Sequence, residues 1–276
     1  MTESVNPFVI FIEMGWNVFL IDFTRYFVAA GLVAMIVWLL MRTSIKTRKI
    51  QKRKAKPGEI VRELLQSMRS CIVYIGVTVA IVWGINMDLL QNVGASFGWK
   101  QDIAVVVVMI LAHDAYFYWA HRAMHHPILF KRFHLAHHRS ITPTPFAAYS
   151  FSVGEASVMG LFVLIWQIFI PTPGLVLLSF LIFQITRNAM GHAGFELMPR
   201  WWMSTPLTRW INTTTHHDLH HAGSFHHNYG LYFTFWDKLM GTEHPEYQAK
   251  FAEVVGRKEI NEPKQGRDHL LPHHAN

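Results

Sequence analysis

Residues 26–41 read YFVAAGLVAMIVWLLM, a run of sixteen residues without a charge that lies between Arg25 and Arg42. The run can extend backward through residues 18–23. A helix needs about 20 residues to cross the hydrocarbon core of a bilayer, and about 17 is near the lower limit. The run therefore predicts a transmembrane helix and indicates that the chain is a membrane protein.

Three further apolar segments predict more spans. Residues 70–87 carry no charge, and residues 103–113 are apolar before charged residues follow. Residues 156–186 are uncharged but too long for one span, and the turn sequence Pro-Thr-Pro-Gly at 171–174 interrupts them. This segment predicts a helical hairpin whose arms are short for full spans. Together the segments predict an all-α, multi-pass transmembrane bundle of about four to five spans or half-spans.

The composition agrees with a membrane protein. Hydrophobic residues make up 51% of the 276 residues and charged residues 16%, well below the quarter that is usual in soluble domains. This composition excludes a disordered chain, and the single cysteine, Cys71, excludes a disulfide scaffold. The net charge of +7 favours nucleic acid or an anionic membrane surface as a partner. The hydropathy favours the membrane.

A basic segment between the first two predicted spans indicates the orientation. Positive residues accumulate in the cytoplasmic loops of membrane proteins. Because apolar spans flank the segment, nucleic-acid binding is the weaker interpretation. We therefore expect residues 42–56 to be cytoplasmic, at a bacterial inner membrane or, in a eukaryote, at the endoplasmic reticulum. The basic residues are Arg42, Lys46, Arg48, Lys49, Lys52, Arg53, Lys54 and Lys56.

Histidine is unusually frequent: the chain has 18 histidines, as many as its aspartates and glutamates together. Most histidines lie in three clusters, HxxxHH at 121–126, HxxHH at 134–138 and HHxxHH at 216–221. Positions three and four residues apart share one face of a helix, and imidazole is a ligand for iron, zinc, copper and nickel. The clusters offer more imidazoles than one ion can bind. On the predicted topology they all lie in a helical cap on the cytoplasmic side.

His192 follows the hairpin in a segment of small residues, and its position lets it reach the same site. Five carboxylates near the clusters could orient ligand imidazoles by accepting hydrogen bonds from them. Each of these carboxylates could equally cap a helix or form an ion pair. They are Asp114, Glu155, Glu196, Asp218 and Asp237.

The clusters and the residues around them resemble the fatty acid hydroxylase and sterol desaturase superfamily of membrane di-iron enzymes. The resemblance covers about residues 105–243, half of the chain, and looks most like the sterol desaturase branch. The matching stretches are DAYFYWAHRAMHH at 114–126, FHLAHH at 133–138, HAG at 192–194, THHDLHH at 215–221, NYG at 228–230 and FWDKLMGT at 235–242.

The resemblance implies a site for two iron ions that is bound almost wholly by histidine. The NYG and FWD stretches would pack beneath the site rather than bind metal. His216 is a further candidate metal ligand, beside nine histidines that the motifs identify as catalytic. The nine are His121, His125, His134, His137, His138, His192, His217, His220 and His221.

The implied activity is the O₂-dependent hydroxylation or desaturation of a C–H bond in a lipid, with a sterol-like lipid as the expected substrate. Acid–base and nucleophilic side chains cannot attack such a bond, so the iron ions would supply the redox chemistry. The sequence carries no dinucleotide-binding or haem-attachment motif. Electrons are therefore expected from a separate reductase, ferredoxin or haem electron carrier.

We expect three regions: a transmembrane region at 1–100, a catalytic domain at 101–243 and a polar tail at 244–276. Two other functions stay open on the residues alone. A zinc-dependent membrane hydrolase would need about three ligands rather than nine, and the sequence lacks HExxH. A histidine-rich metal-binding or transport protein should place its ligands near the middle of the bilayer, whereas these clusters are predicted at one surface.

Overall fold

The computed structural model describes residues 7–223 and 225–257, which form helices and loops and, apart from two isolated bridges, no extended pairing. The all-α prediction is therefore confirmed. The α-helices of the described residues are α1 Pro7–Leu40, α2 Pro57–Asn86, α3 Trp99–Met124, α4 Pro127–Phe133, α5 Leu135–His138, α6 Val153–Phe169, α7 Gly174–Gly191, α8 Thr214–His221, α9 Phe235–Leu239 and α10 Tyr247–Gly256. Short 3₁₀ helices lie at Ser44–Arg48, Pro145–Tyr149, Arg200–Ser204 and Thr208–Trp210.

Four helices are long and apolar enough to cross a membrane, and α6 is a shorter apolar helix of 17 residues. The predicted bundle of about four to five spans or half-spans is thereby confirmed. The first two helices begin well before residues 26 and 70, where the uncharged runs begin. The candidate spans are Gly15–Leu40 in α1, Pro57–Asn86, Trp99–Met124 and Gly174–Gly191.

The first span starts earlier than predicted because two charges are accommodated inside its helix. Asp22 and Arg25 lie one turn apart in α1, and Arg25 Nη2 donates a hydrogen bond of 2.6 Å to Asp22 Oδ1. Both side chains are buried. An ion pair at this spacing neutralises both charges, so the apolar helix continues through Arg25 and the span begins at Gly15, before the extension through residues 18–23 that the sequence allowed.

The predicted hairpin consists of α6 and α7, and side chains at the end of α6 hold its turn. Gln167 Oε1 accepts a hydrogen bond from the backbone N–H of Thr172 (2.8 Å), and Trp166 Nε1 donates to Thr172 Oγ1 (2.9 Å). The prolines at 171 and 173 lack the N–H that a helix interior needs. The chain therefore reverses between α6 and α7.

The long helices pack side by side around a common apolar interior. Helix α1 lies against α2 and α7, α2 lies against α6, and α3 lies against α6 and α7. Helices α2 and α6 approach closely at Gly160, where an added Cβ would lie 3.0 Å from Val77 Cγ2 and 3.1 Å from the Tyr74 ring. Glycine at this position therefore permits the close contact of the two helices.

A helical cap, formed by α4, α5, α8 and the loops around them, covers one end of the bundle. The 3₁₀ helix Pro145–Tyr149 follows α5 and contacts α1, α2 and α7. Helix α2 holds it, because Ser67 and Ser70 donate hydrogen bonds to the carbonyls of Phe146 (3.0 Å) and Tyr149 (2.8 Å). These bonds determine where α5, with its histidines, meets the bundle.

The end of the chain differs from the polar tail expected from residue 244 onward. Residues 247–256 form α10, which packs against α8. The buried side chains of α10 recur with helical spacing, at Tyr247, Phe251, Val254 and Val255. A short amphipathic helix has a polar average composition, which hides its apolar face. Residues 258–276 of the expected tail lie outside the described residues.

Candidate metal centre

Nine buried histidines converge in two groups where the cap meets the bundle. Within each group the candidate ligand nitrogens all lie within 4.8 Å of one another. The five-histidine group contains His121, His125, His134, His138 and His220. The four-histidine group contains His137, His192, His217 and His221.

The helical period explains how one helix can serve both groups. In α8, His217 and His221 lie one turn apart and join the four-histidine group, whereas His220 points into the five-histidine group. Around α5, His134 and His138 lie four residues apart and join the five-histidine group, while His137 joins the other. The sequence predicted that each cluster presents a single face. The structure instead divides the second and third clusters between two sites.

The Nε2 atoms of the five-histidine group lie at the distances expected around a metal ion. Nε2 of His121 is 2.8 Å from that of His134, and Nε2 of His125 is 3.1 Å from that of His220 and 3.2 Å from that of His138. Two nitrogens bound at right angles to one ion, each about 2.1 Å from it, lie about 3.0 Å apart. Two Nε2 lone pairs this close repel each other unless a proton or a metal cation lies between them.

The four-histidine group has the same geometry. Nε2 of His192 lies 3.2 Å from that of His137 and 3.0 Å from that of His217, which lies 3.2 Å from that of His221. The rings of His138 and His221 stack with their centroids 4.9 Å apart, which brings the two groups side by side. Each group could therefore hold one metal ion, with the two ions as neighbours.

The opposite ring nitrogens, Nδ1, anchor five of the nine rings. A ring that donates its proton from Nδ1 carries its free lone pair on Nε2, which is the atom that faces the group. These bonds therefore select the tautomer that a metal requires. The anchored rings and their acceptors are His121 on the Tyr229 carbonyl (2.8 Å), His134 on Glu155 Oε1 (2.8 Å), His220 on the His227 carbonyl (2.7 Å), His192 on the Asn188 carbonyl (2.8 Å) and His137 on the Ser150 carbonyl (3.3 Å).

Burial keeps these rings neutral. All nine are at most 7% exposed. Burial, reinforced by the neighbouring imidazoles, holds the pKa of His134, His137 and His221 well below the ordinary value. Burial also lowers the pKa of His192 to about 4. Neutral imidazole is the form that binds metal, so the centre is prepared for a cation at neutral pH.

The structure does not bring His216 into either group. Its Nε2 lies 3.4 Å from Asp237 Oδ2, and its ring packs edge-on against Tyr247 of α10. His216 precedes His217 by one residue, which turns its side chain by about 100° around α8. The structure therefore points His216 away from the centre that His217 enters.

Other histidines also lie outside the two groups. His126 is exposed at the start of α4. His113 is buried among the rings of Phe117, Phe162, Phe180 and Tyr232, two turns before His121 in α3. These positions separate them from the centre, although they belong to the same histidine-rich half of the sequence.

Among the five candidate carboxylates, Glu155 is the one whose bond reaches a ring of either group. Asp114 lies on the helix face expected from its spacing to His121, but it accepts hydrogen bonds from the backbone N–H groups of Tyr232 (2.9 Å) and Phe233 (3.2 Å). The other three also bind outside the two groups. Asp237 accepts from the N–H groups of Tyr229 and Gly230, Glu196 from Thr215 and Met198, and Asp218 from Gln51.

The loop beneath the centre therefore has a structural role. Asp237 holds Tyr229, whose carbonyl anchors His121. At Gly230 an added Cβ would lie 2.5 Å from the Phe233 carbonyl and 2.8 Å from Asp237 Oδ2. Only glycine fits this approach. The stretches expected to pack beneath the site thus position one of its rings through backbone atoms.

A cavity of about 280 Å³ lies within the bundle beside the centre. Phe117 and Phe151 line its inner end, with ring centroids 5.1 Å from His121 and 5.2 Å from His137 respectively. The far end is lined by the loop after α2 and by Thr172 of the hairpin turn. Sequence analysis missed this cavity, because its lining comes from five helices and follows no local pattern.

A family model described as fatty acid hydroxylase matches residues 106–242, about half of the chain. The chain belongs to the fatty acid hydroxylase family. The region of the chain that matches the family model contains all nine grouped histidines, Glu155 and the loop beneath them.

Curated relatives within this family differ in their named activities. The chain is 33% identical to mouse lathosterol oxidase (Mus musculus) over 54% of this chain and 48% of that protein. It is 31% identical to a Delta(7)-sterol 5(6)-desaturase of the fungus Leptosphaeria maculans over 51% of this chain and 37% of that protein. It is 32% identical to a very-long-chain aldehyde decarbonylase of rice (Oryza sativa subsp. japonica) over 52% of this chain and 24% of that protein.

The chain thus spans about half the length or less of these relatives. No solved structure matches it. The expected resemblance to this family, with sterol desaturases among the relatives, is confirmed.

Proposed function

We propose that this protein is an O₂-dependent di-iron membrane oxidoreductase that hydroxylates or desaturates a C–H bond of a sterol-like lipid. One observation carries the proposal: two neighbouring groups of imidazole nitrogens lie beside a mostly apolar cavity, and the cavity residues Phe117 and Phe151 each contact a ring of one group. A mostly apolar cavity suits a lipid, and the nitrogens suit metal ions.

The five-histidine group would hold one iron ion and the four-histidine group the other. When bound, the two ions would supply the redox chemistry that activates dioxygen against an unactivated C–H bond, which no side chain can do alone. Zinc has no redox chemistry, which favours iron for this reaction. His216, with its side chain on Asp237, would not be a ligand.

The side chains around the centre would orient the ligands and exclude water. Glu155 and the four backbone carbonyls hold five rings with Nε2 pointing inward. Phe117 and Phe151 line the cavity and each contacts a histidine ring, so an apolar carbon would approach the centre beside them while bulk water is kept out. The reacting carbon of the lipid would lie against these two rings.

The substrate class and the electron source follow from other features. Two of the relatives are named for sterols, and we extend that class to this chain. The basic segment 42–56 supports a cytoplasmic location of the cap. A separate reductase, ferredoxin or haem carrier would deliver electrons there. Residues 101–243 would form the catalytic domain, which includes the spans of α3 and α7, and residues 1–100 the N-terminal transmembrane region.

The proposal is tested with protein expressed with ample iron, purified without chelators and placed in nanodiscs. We expect about two iron ions per chain and oxygen consumption that needs both a sterol and a reductant. Mass spectrometry of the lipid should show the gain of one oxygen atom or the loss of two hydrogen atoms. Metal binding without lipid-dependent oxygen consumption would instead indicate a metal store or transporter, and bound zinc with ester cleavage would indicate a hydrolase.

A further inference from the structure

A buried ion pair lies in the wall of the cavity, away from the histidines. Asp22 and Arg25 of α1 both line the cavity, and they are 6% and 8% exposed. They lie inside the candidate span Gly15–Leu40, seven and ten residues after its first residue. Charged side chains inside a span are costly, and they mark functional positions in membrane proteins.

The guanidinium of Arg25 has hydrogen-bond donors that the ion pair with Asp22 does not use. Nη2 donates to Asp22 Oδ1, and the Tyr149 hydroxyl also interacts with the guanidinium, but Nε and Nη1 are buried and form no hydrogen bond of normal geometry among the described residues. An arginine side chain carries five N–H donors and no acceptor. Leaving such donors buried and unpaired carries a desolvation penalty. A ligand with an acceptor atom would remove this cost.

Further polar atoms mark the same part of the cavity. The Tyr149 ring lies 6.0 Å from Arg25 Cζ, and its hydroxyl donates to Gln184 Oε1 (2.8 Å). Both Tyr149 and Gln184 line the cavity. On its other side Tyr149 neighbours Phe151, with ring centroids 6.1 Å apart, and Phe151 contacts His137. A layer of aromatic rings thus separates this polar patch from the metal centre.

We propose that Arg25, held by Asp22, is a polar subsite that binds a hydroxyl or carbonyl oxygen of the lipid. This inference rests on the proposed function, since it assigns the cavity to the substrate. Asp22 already neutralises the guanidinium, so an added carboxylate would bring an uncompensated negative charge into the bundle. A neutral oxygen accepts from Nε and Nη1 without that charge. The subsite therefore favours sterols, alcohols and ketones over free fatty acids and over hydrocarbons.

Binding of matched lipids to the iron-loaded protein in nanodiscs tests the subsite. The probes are radiolabelled cholestanol with cholestane, and stearyl alcohol with octadecane and stearate. A hydrogen bond to a charged donor contributes about 1.5–3 kcal/mol, so each alcohol should bind about tenfold or more tightly than its hydrocarbon. Stearate should bind more weakly than stearyl alcohol.

Two variants separate the donors from the ion pair. The double variant Asp22→Asn/Arg25→Met removes the donors together with the charge they balance, and the ratio of alcohol to hydrocarbon affinity should fall to about one. Asp22→Asn alone keeps the donors and frees the positive charge. In this control the alcohol preference should persist, and stearate should now bind more tightly than stearyl alcohol.

The inference is overturned if the wild-type protein binds alcohol and hydrocarbon equally, if it prefers stearate, or if the double variant keeps the alcohol preference. Iron content and thermal unfolding would reveal whether the double variant folds. If it does not fold, the comparison of alcohol and hydrocarbon binding by the wild-type protein still tests the subsite. Product formation without an alcohol preference would refute the subsite alone. An alcohol preference without any oxidised product would refute the proposed reaction alone.

Discussion

The two histidine groups lie side by side but differ in their number of nitrogens and in how the rings are held. The first group offers five, and three of its rings are anchored, one of them by the carboxylate of Glu155. The second offers four, and its two anchors are backbone carbonyls, one at 3.3 Å. A carboxylate partner raises the basicity of an imidazole more than a carbonyl does.

On the proposed function, this difference predicts that the two groups would bind their ions with unequal strength. The ion in the five-histidine group would be bound more tightly, and the ion in the four-histidine group would have more room for an exogenous ligand. The cavity does not distinguish them, because Phe117 contacts one group and Phe151 the other. The inequality therefore arises from α6, which supplies Glu155 to one group alone.

Removing one ligand from each group is the strongest test of the comparison. We expect His137→Ala, which leaves three nitrogens in its group, to lower the metal content to about one ion per chain, and His220→Ala, which leaves four, to weaken the ion of the five-histidine group. Each variant should abolish lipid oxidation. The loss of activity should exceed the roughly 100-fold effect that is typical when a residue hydrogen-bonded to a metal ligand is mutated. Metal analysis and product quantification measure both effects. If either variant kept full activity, the assignment of that histidine as a ligand would be wrong.

Changing Glu155 should affect one group selectively. Glu155→Ala removes the acceptor of the His134 Nδ1 proton, and we expect about 10- to 100-fold weaker metal affinity in the five-histidine group. Glu155→Gln keeps an acceptor without its charge. Its metal affinity should therefore lie between that of Glu155→Ala and that of the wild type. Stepwise chelation with metal analysis measures this. Equal weakening of both ions would contradict the proposed inequality.

The smallest effect is expected at His216, which is adjacent in sequence to a grouped histidine but lies apart in space. His216→Gln should keep both ions and change turnover by less than about threefold, because the side chain contacts Asp237 and Tyr247 instead. The free energy of unfolding should fall by about 1–3 kcal/mol through the lost contact. His217→Gln is the matched control and should lose an ion. Loss of an ion from His216→Gln would show that the two groups are incompletely defined.

Local patterns predicted much of the fold. Apolar runs revealed the spans, and Pro-Thr-Pro-Gly located the hairpin turn, because helix formation and chain reversal depend on neighbouring residues. The same patterns failed at Asp22 and Arg25, where the charges balance each other inside the helix. They also failed at α10, whose apolar face is visible only in its packing against α8.

By itself, the sequence identified ten candidate ligands: nine histidines in three clusters, His216 included, and His192 outside them. Tertiary structure alone decided their division into groups, the exclusion of His216, the choice of Glu155 over Asp114 and the position of Arg25 in the cavity wall. The physical reason is that the period of a helix determines only which residues of that helix share a face. Which face of a helix meets which neighbour depends on packing between segments that lie far apart in the chain.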